Sequence, residues 1–241
     1  NTQFIISGDA NQLSACFSSF RGIPIDADRI GESKMFYDMC DGSRCILTEC
    51  KRSDRILFNW YTSLCEGGAR RELDLQEQVK QAKTDFPNGG AARWHLCISH
   101  AKRMAINRRE MLRLKPETAV FYPKVAAPGM TSSPQNMWLW PGAEVFACTR
   151  SVTKGLRNGM LYTVESVGDL TTLVGITAAL TKEEMSKYLR PSFAQVYHSA
   201  QGLTLEGRVQ LCDSAHTHFT SRMLLVGLSR ARSAELVQVC D

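Results

Sequence analysis

Apolar residues come in short bursts along this chain, and several bursts stop at small or polar side chains. Gln3–Ser7 reads as a brief apolar strand that halts at Gly8-Asp9. Trp94–Ile98 runs into Ser99-His100, and Phe193–Tyr197 runs into His198-Ser199. Elsewhere the spacing turns helical. Ile56, Leu57, Trp60 and Leu64 put one apolar face on a helix over residues 53–65, closed by Gly67-Gly68. A more polar helix is predicted over 73–83, a basic one over 101–114 and an apolar one over 220–228. Residues 208–212 and 235–240 read as two further strands. Residues 14–45 read as irregular, with a brief strand at 45–47.

The stretch 115–143 is rich in Pro and Gly and reads as a long excursion. From Glu144 the pattern becomes β: strands at 144–148 and 160–167 flank a turn holding Asn158-Gly159, and 170–177 continues the run. The expected fold class is therefore α/β: a mainly parallel sheet flanked by helices, with a small all-β insertion. In such sheets ligands bind at the carboxyl ends of the strands. Three strands here end in polar pairs: Gly8-Asp9, Ser99-His100 and His198-Ser199.

Composition narrows the class. At 241 residues and 44% hydrophobic, the chain is long enough for one large core or two smaller ones. No apolar run is long enough to cross a membrane, so no membrane partner is expected. The N-terminus lacks a signal-peptide layout and an initiating Met, and Asn1 is read as a cut through a longer protein. Nine cysteines, an odd count with no C-x-x-C, suggest reduced thiols and an intracellular setting. Cys40, Cys45 and Cys50 lack zinc-ligand spacing, so no metal site is expected. The net charge of +5 is compatible with a polyanion partner. More telling is the segment 102–115, with six Lys/Arg against one Glu. Taken alone it reads as a solvated helix face.

Candidate chemistry follows from the polar clusters. His198-Ser199 raises nucleophilic catalysis, but neighbours on a strand point to opposite faces and no G-x-S-x-G elbow is present. Gly-Lys occurs nowhere, so no Walker A loop lies in this chain. A segment of this kind can still supply the other half of a shared nucleotide site, because phosphoryl transfer often takes an Arg from a second domain. Arg230, at the end of an apolar helix, and Arg52, ahead of the helix near 53, are the candidates. The structural alternative for each is a surface ion pair.

The order of the segments then carries a resemblance. FIISGDANQL (4–13) resembles motif III of superfamily 1 helicases. LTECKRSDRILFNWYTSLCEGG (47–68) resembles motif IV, AQVYHSAQGLTLE (194–206) motif V of the Pif-one/RecD-like branch, and LLVGLSRARS (224–233) motif VI. LCISHAKRMAIN (96–107) matches the strand and helix between motifs IV and V. The segment 138–167 is similar to that branch's insert. Cysteine richness and the Ser-His-x-Lys-Arg segment resemble helicases of large DNA viruses. Ala200 and Ser199 depart from the usual Ser and Lys of motif V, and Gly227 from the usual Ala of motif VI. Motifs I and II are absent.

The resemblance implies a RecA-like fold and roles for particular residues. Arg230 is the implied arginine finger, Arg52 a second clamp and Gln12 a sensor of the γ-phosphate. Gln201, Gly202, Glu206, Gly8 and Asp9 are implied on the nucleotide side. Ser99, His100, Arg103, His198, Ser199 and Thr204 are implied along single-stranded DNA, where short donors meet the backbone without reading sequence. The cofactor implied is ATP with Mg2+, whose ligands lie in an N-terminal half. The implied partners are single-stranded DNA, that N-terminal RecA-like half and replication proteins. Residues 1–13 would end the first motor domain. Residues 14–114 and 191–241 would form the second, and 115–190 a linker and β-barrel-like insertion. The implied function is the C-terminal motor domain of an ATP-dependent 5′-to-3′ DNA helicase, at a nuclear or viral replication site. Two rivals stand beside it: a viral RNA helicase, and a degenerate, non-catalytic nucleic-acid-binding half.

Overall fold

The computed structural model of the protein describes residues 19–20, 23–24, 34–39, 42, 49–65, 67–125 and 134–241. Gly8, Asp9 and Gln12, and the strands expected at 3–7 and 45–47, lie outside them. Strands β1 (Ser19–Phe20) and β2 (Ile23–Pro24) pair antiparallel, and helix α1 spans Lys34–Met39. The stretch expected to be irregular thus carries three elements. Two-residue strands show no period, and a six-residue helix shows little.

The described residues divide into two units, one running up to Gly90 and resuming at Ala200–Asp241, the other Ala91–Ser199. The first unit is built on helices α2 (Arg55–Thr62) and α3 (Leu75–Asp85). Asp54 caps α2 by accepting the Leu57 N–H at 2.7 Å, and Asp74 caps α3 by accepting the Glu77 N–H at 2.8 Å. Leu57, Trp60 and Tyr61 fall at i, i+3 and i+4 and are buried together. Burying side chains of this size stabilises by about 1.5–3 kcal/mol each. The Trp60 indole N–H donates to Asp85 at 2.7 Å, tying the two helices.

The second unit opens with strand β3 (Trp94–Cys97), buried along its whole length. Helix α4 (His100–Leu114) follows, and then a ribbon of β4 (Val120–Tyr122) and β5 (Met137–Leu139). Next come β6 (Glu144–Ala147), β7 (Leu161–Ser166), β8 (Leu170–Leu173) and β9 (Ile176–Thr181), helix α5 (Lys182–Tyr188) and β10 (Leu189–Pro191). Strands β6–β10 form one antiparallel sheet in the order β10-β6-β7-β8-β9. Its core includes Val145, Val164, Leu173, Leu180 and Leu189, with Tyr122, Met137 and Met185 packed in. Gly159, at φ +77°, takes the left-handed turn position ahead of β7. The run expected over 170–177 is a hairpin of β8 and β9 that extends to Thr181, and helix α5 follows it where no element was expected. Its start is set by a capping box between Thr181 and Glu184.

Strand β11 (Ala194–Val196) returns to lie parallel to β3, with Gln195 opposite Leu96. Helix α4 packs on both strands. Its Asn107 is fully buried and accepts the Ala194 N–H at 2.8 Å, which locks the start of β11. A one-turn helix, α6 (Tyr197–Ala200), carries the chain onward. The first unit then completes with β12 (Val209–Leu211), helix α7 (Ser221–Leu228) capped by Thr220, a 3-10 turn at Ala234–Leu236 and β13 (Val237–Val239). Strands β12 and β13 run parallel, with Gln210 opposite Gln238. Helix α7 packs on β12 and α3 on β13. The chain is thus α/β, with parallel strands flanked by helices and a separate antiparallel sheet.

Candidate nucleotide and nucleic-acid interface

In the first unit, residues 52–54 are stitched to residues 229–234. Arg52 donates through a terminal nitrogen to the Ser229 carbonyl at 3.1 Å. The Ser53 hydroxyl donates to the Ala231 carbonyl at 2.9 Å. The Asp54 N–H donates to the Arg232 carbonyl at 2.8 Å, and its Oδ2 accepts the Ala234 N–H at 2.9 Å. Asp54 therefore caps α2 with one carboxylate oxygen and holds the segment after α7 with the other. Each end of this stitch carries a candidate arginine.

Arg230 faces inward and is 1% exposed. Its Nε donates to the Val226 carbonyl at 3.0 Å, one terminal nitrogen to the Leu203 carbonyl at 3.2 Å, and the other to the Ser229 hydroxyl at 2.8 Å. Arg52 is half-buried, and its Nε donates to the Thr204 hydroxyl at 3.0 Å. The Leu205 N–H donates to the Arg230 carbonyl at 2.9 Å, which lays 203–205 alongside 229–230. Arg52, Thr204 and Arg230 come from three segments far apart in sequence and meet here through Leu203 and Ser229.

The other residues implied on the nucleotide side, Gln201, Gly202 and Glu206, belong to the same unit. Gln201 and Gly202 form the turn after α6. Gly202 is exposed, has φ +80° and has open space where a Cβ would sit, so backbone conformation rather than crowding explains the glycine. Glu206 is exposed and pairs with Arg232 at 2.6 Å. Close by in sequence, the Cys50 thiol lies 3.3 Å from the Tyr61 hydroxyl and accepts the Ser53 N–H. Burial pushes this thiol up, but those hydrogen bonds together hold it below the usual thiol value. Burial, with the Cys50 contact, pushes the Tyr61 hydroxyl up to about 12.

Ser99, His100, Arg103, His198 and Ser199 belong to the second unit. Ser99 is exposed, and its hydroxyl accepts the Lys102 N–H at 3.1 Å as the cap of α4. His100 is the exposed first residue of that helix, and burial followed by the charge of Arg103 lowers its pKa. Arg103, expected along the nucleic acid, is buried at 5% exposure, and desolvation lowers its pKa. The adjacent pair His198-Ser199 sits in α6, not at the end of a strand. The extended pattern stops at Val196, and the next four residues make a single helical turn, too short for any periodicity. Ser199 is exposed and His198 half-buried.

Sequence reasoning did not single out Ser53, Asp54, Ser229 or Arg232. Ser-Asp ahead of an apolar period is a helix-start signal and marks Asp54 as a cap. The second use of each side chain is a long-range bond with no local signature. Among the described residues, no group of three or more His, Cys, Asp or Glu is placed to hold a metal ion, and no helix is long and apolar enough to cross a membrane.

No family model and no curated protein matches this chain. Solved structures do. Pif1 helicase from Candida albicans is similar at 19% identity and a TM-score of 0.57, over 97% of this chain and 63% of that one. Pif1 helicase from Bacteroides in complex with ADP-AlF3 and ssDNA matches at 19% identity and a TM-score of 0.58, over 97% of this chain and 61% of that one. Bacteroides Pif1 bound to ssDNA matches at 17% identity and a TM-score of 0.54, over 80% and 50%. The chain thus spans less than two thirds of the length of the helicases it matches. In fold, the chain is similar to these Pif1 helicase structures, an α/β architecture in which the strands of the antiparallel sheet come, in sequence, between β3 and β11.

Proposed function

We propose that this chain is the C-terminal motor domain of an ATP-dependent 5′-to-3′ DNA helicase. Residues 14–114 and 191–241 form the second RecA-like domain, 115–190 the insertion and 1–13 the end of the first motor domain. The observation that carries the reading is the convergence of Arg52, Thr204 and Arg230. An arginine ahead of α2, a threonine after α6 and an arginine after α7 are bound to one another's segments, as a nucleotide-responsive switch requires. Fold similarity to helicases whose structures hold ADP-AlF3 and ssDNA supports the same partners for this chain.

Arg52 and Arg230 act on the γ-phosphate of ATP bound by the N-terminal half, which also supplies the Mg2+ ligands. Two guanidinium groups suit the γ-phosphoryl group, because they neutralise charge as it spreads over the equatorial oxygens. Arg52 is partly open to solvent and exchanges the Thr204 hydroxyl for phosphate at small cost. Arg230 first gives up the Leu203 carbonyl, so its release follows movement of the 201–206 turn. Thr204, His198 and Ser199 contact the nucleic-acid backbone, and Gln201, Gly202 and Glu206 lie toward the nucleotide. Gln12, Gly8 and Asp9 complete the nucleotide side.

The test is single-stranded-DNA-stimulated ATP hydrolysis by the full-length protein beside its Arg52→Ala and Arg230→Ala variants. Loss of roughly three to five orders of magnitude is expected for the finger. Duplex unwinding with DNA and RNA substrates tests the nucleic acid. No stimulated hydrolysis in the parent rejects the motor reading in favour of a binding module. Unwinding of RNA alone moves the chain to the RNA branch.

A further inference from the structure

We propose a second nucleic-acid contact on the β4–β5 ribbon, a base-stacking surface formed by Phe121 and Trp138. The two residues face each other across the antiparallel pair, with ring centroids 5.0 Å apart and planes tilted by 49°. Phe121 is 42% exposed, although its neighbour Tyr122 is fully buried in the core of the same unit. The ribbon therefore anchors through Tyr122, Met137 and Leu139 and turns the aromatic pair outward. The Trp138 N–H donates to the Met111 sulfur at 3.4 Å, which fixes the ribbon against the end of α4.

Charge identifies the occupant. Lys115, at the end of α4, places its ammonium 4.6 Å over the Trp138 ring. Arg108 and Leu112 share its helix face at i, i+4 and i+7, and both are exposed. Over 108–124 there are five Lys/Arg against Glu110 and Glu117. Glu110 is buried beneath Arg109 and Arg113, so the exposed Glu117 is set against exposed Arg108 and Lys124 and half-buried Lys115. An apolar pair with Lys115 over one ring, in a segment with an excess of cations, fits a ligand that is a polyanion with π faces. A single-stranded nucleic acid is that ligand: its phosphates meet the cations and its bases stack on the rings, without sequence preference. Trp140, which the insert also packs, lies outside this pair.

This contact rests on the nucleic-acid-binding reading above but uses none of its residues. The experiment measures binding of the full chain to an oligothymidylate and to an abasic strand of equal length, which keeps the phosphates and removes the bases. The unmodified chain is expected to prefer the thymidylate by about five- to a hundred-fold. Phe121→Ala with Trp138→Ala abolishes that preference while abasic binding is retained. Trp138→Phe, which keeps a ring, restores most of it and controls for folding. Equal preference in the parent and the double variant overturns the proposal and leaves the motif V contacts standing. Failure of the parent to bind either strand overturns both. Binding of polyglutamate that the double variant loses, with no base preference in the parent, assigns the surface to an acidic protein instead.

Discussion

The Nε of Arg52 donates to the hydroxyl of Thr204 at 3.0 Å across 152 residues of sequence. One bond thereby joins the residue proposed to hold the γ-phosphate to one proposed to hold the nucleic acid. Thr204→Val keeps the shape of the side chain and removes the acceptor. Both groups are partly solvated, so the fold should lose no more than about 1 kcal/mol. In the full-length protein the ratio of DNA-stimulated to basal hydrolysis should fall. An unchanged ratio would show that this bond carries no coupling.

Arg230 holds the fold as well as a proposed phosphate. Its guanidinium donates to the Leu203 and Val226 carbonyls inside the first unit. Arg230→Met fills similar space and removes the donor to the Leu203 carbonyl, while the Val226 carbonyl keeps the Ser229 hydroxyl at 3.0 Å. The expected cost is about 1–3 kcal/mol for the one group left without this donor. Urea titration should show the loss, and Arg230→Lys should recover part of it. Equal stability of Arg230→Met and the parent would mean that the buried bonds contribute nothing net.

Asp54 serves two segments with one carboxylate. Asp54→Ala removes the cap of α2 and the acceptor for the Ala234 N–H. The cap alone is worth about 0.5–2 kcal/mol. Asp54→Asn keeps an acceptor oxygen and should cost less. Amide exchange should accelerate at both Leu57 and Ala234 in the alanine variant. Acceleration at Leu57 alone would confine Asp54 to capping.

His95 and Glu110 are among the groups of the second unit that make stability fall with acid. Burial holds the His95 pKa below its ordinary 6.5, so the unfolded chain takes up a proton before the folded one does. Stability is full above about pH 6.5 and declines as pH drops toward the folded value. Burial pushes the Glu110 carboxyl up, but Arg113 and Arg109 together hold it below the usual carboxylate range. Its contribution is present above about pH 4.3 and is lost as pH falls through the lower folded value. Thermal melts from pH 8 to 3 should show both steps. His95→Gln should flatten the first and Glu110→Gln the second.

Hydrophobic spacing and end signals determined the local elements by themselves. The helices near 55–62 and 100–114, the buried strand at 94–97 and the hairpin at Asn158-Gly159 follow from periodicity, caps and a turn glycine, all of which act over a few residues. The Thr181–Glu184 capping box had an equally local signature and was overshadowed by the β run before it. The ordered string of motifs also pointed to the helicase-like fold. What only the tertiary structure decided is which side chains meet. Arg230 and Arg103 look alike as basic residues on or after helices, and nothing nearby in sequence says that both are buried. Ser53 and Asp54 read as the start of a helix, yet the bonds that tie residues 52–54 to 229–234 exist only because α2 packs beside α7. Burial and long-range hydrogen bonding are properties of packed surfaces, and no short window of sequence contains both partners.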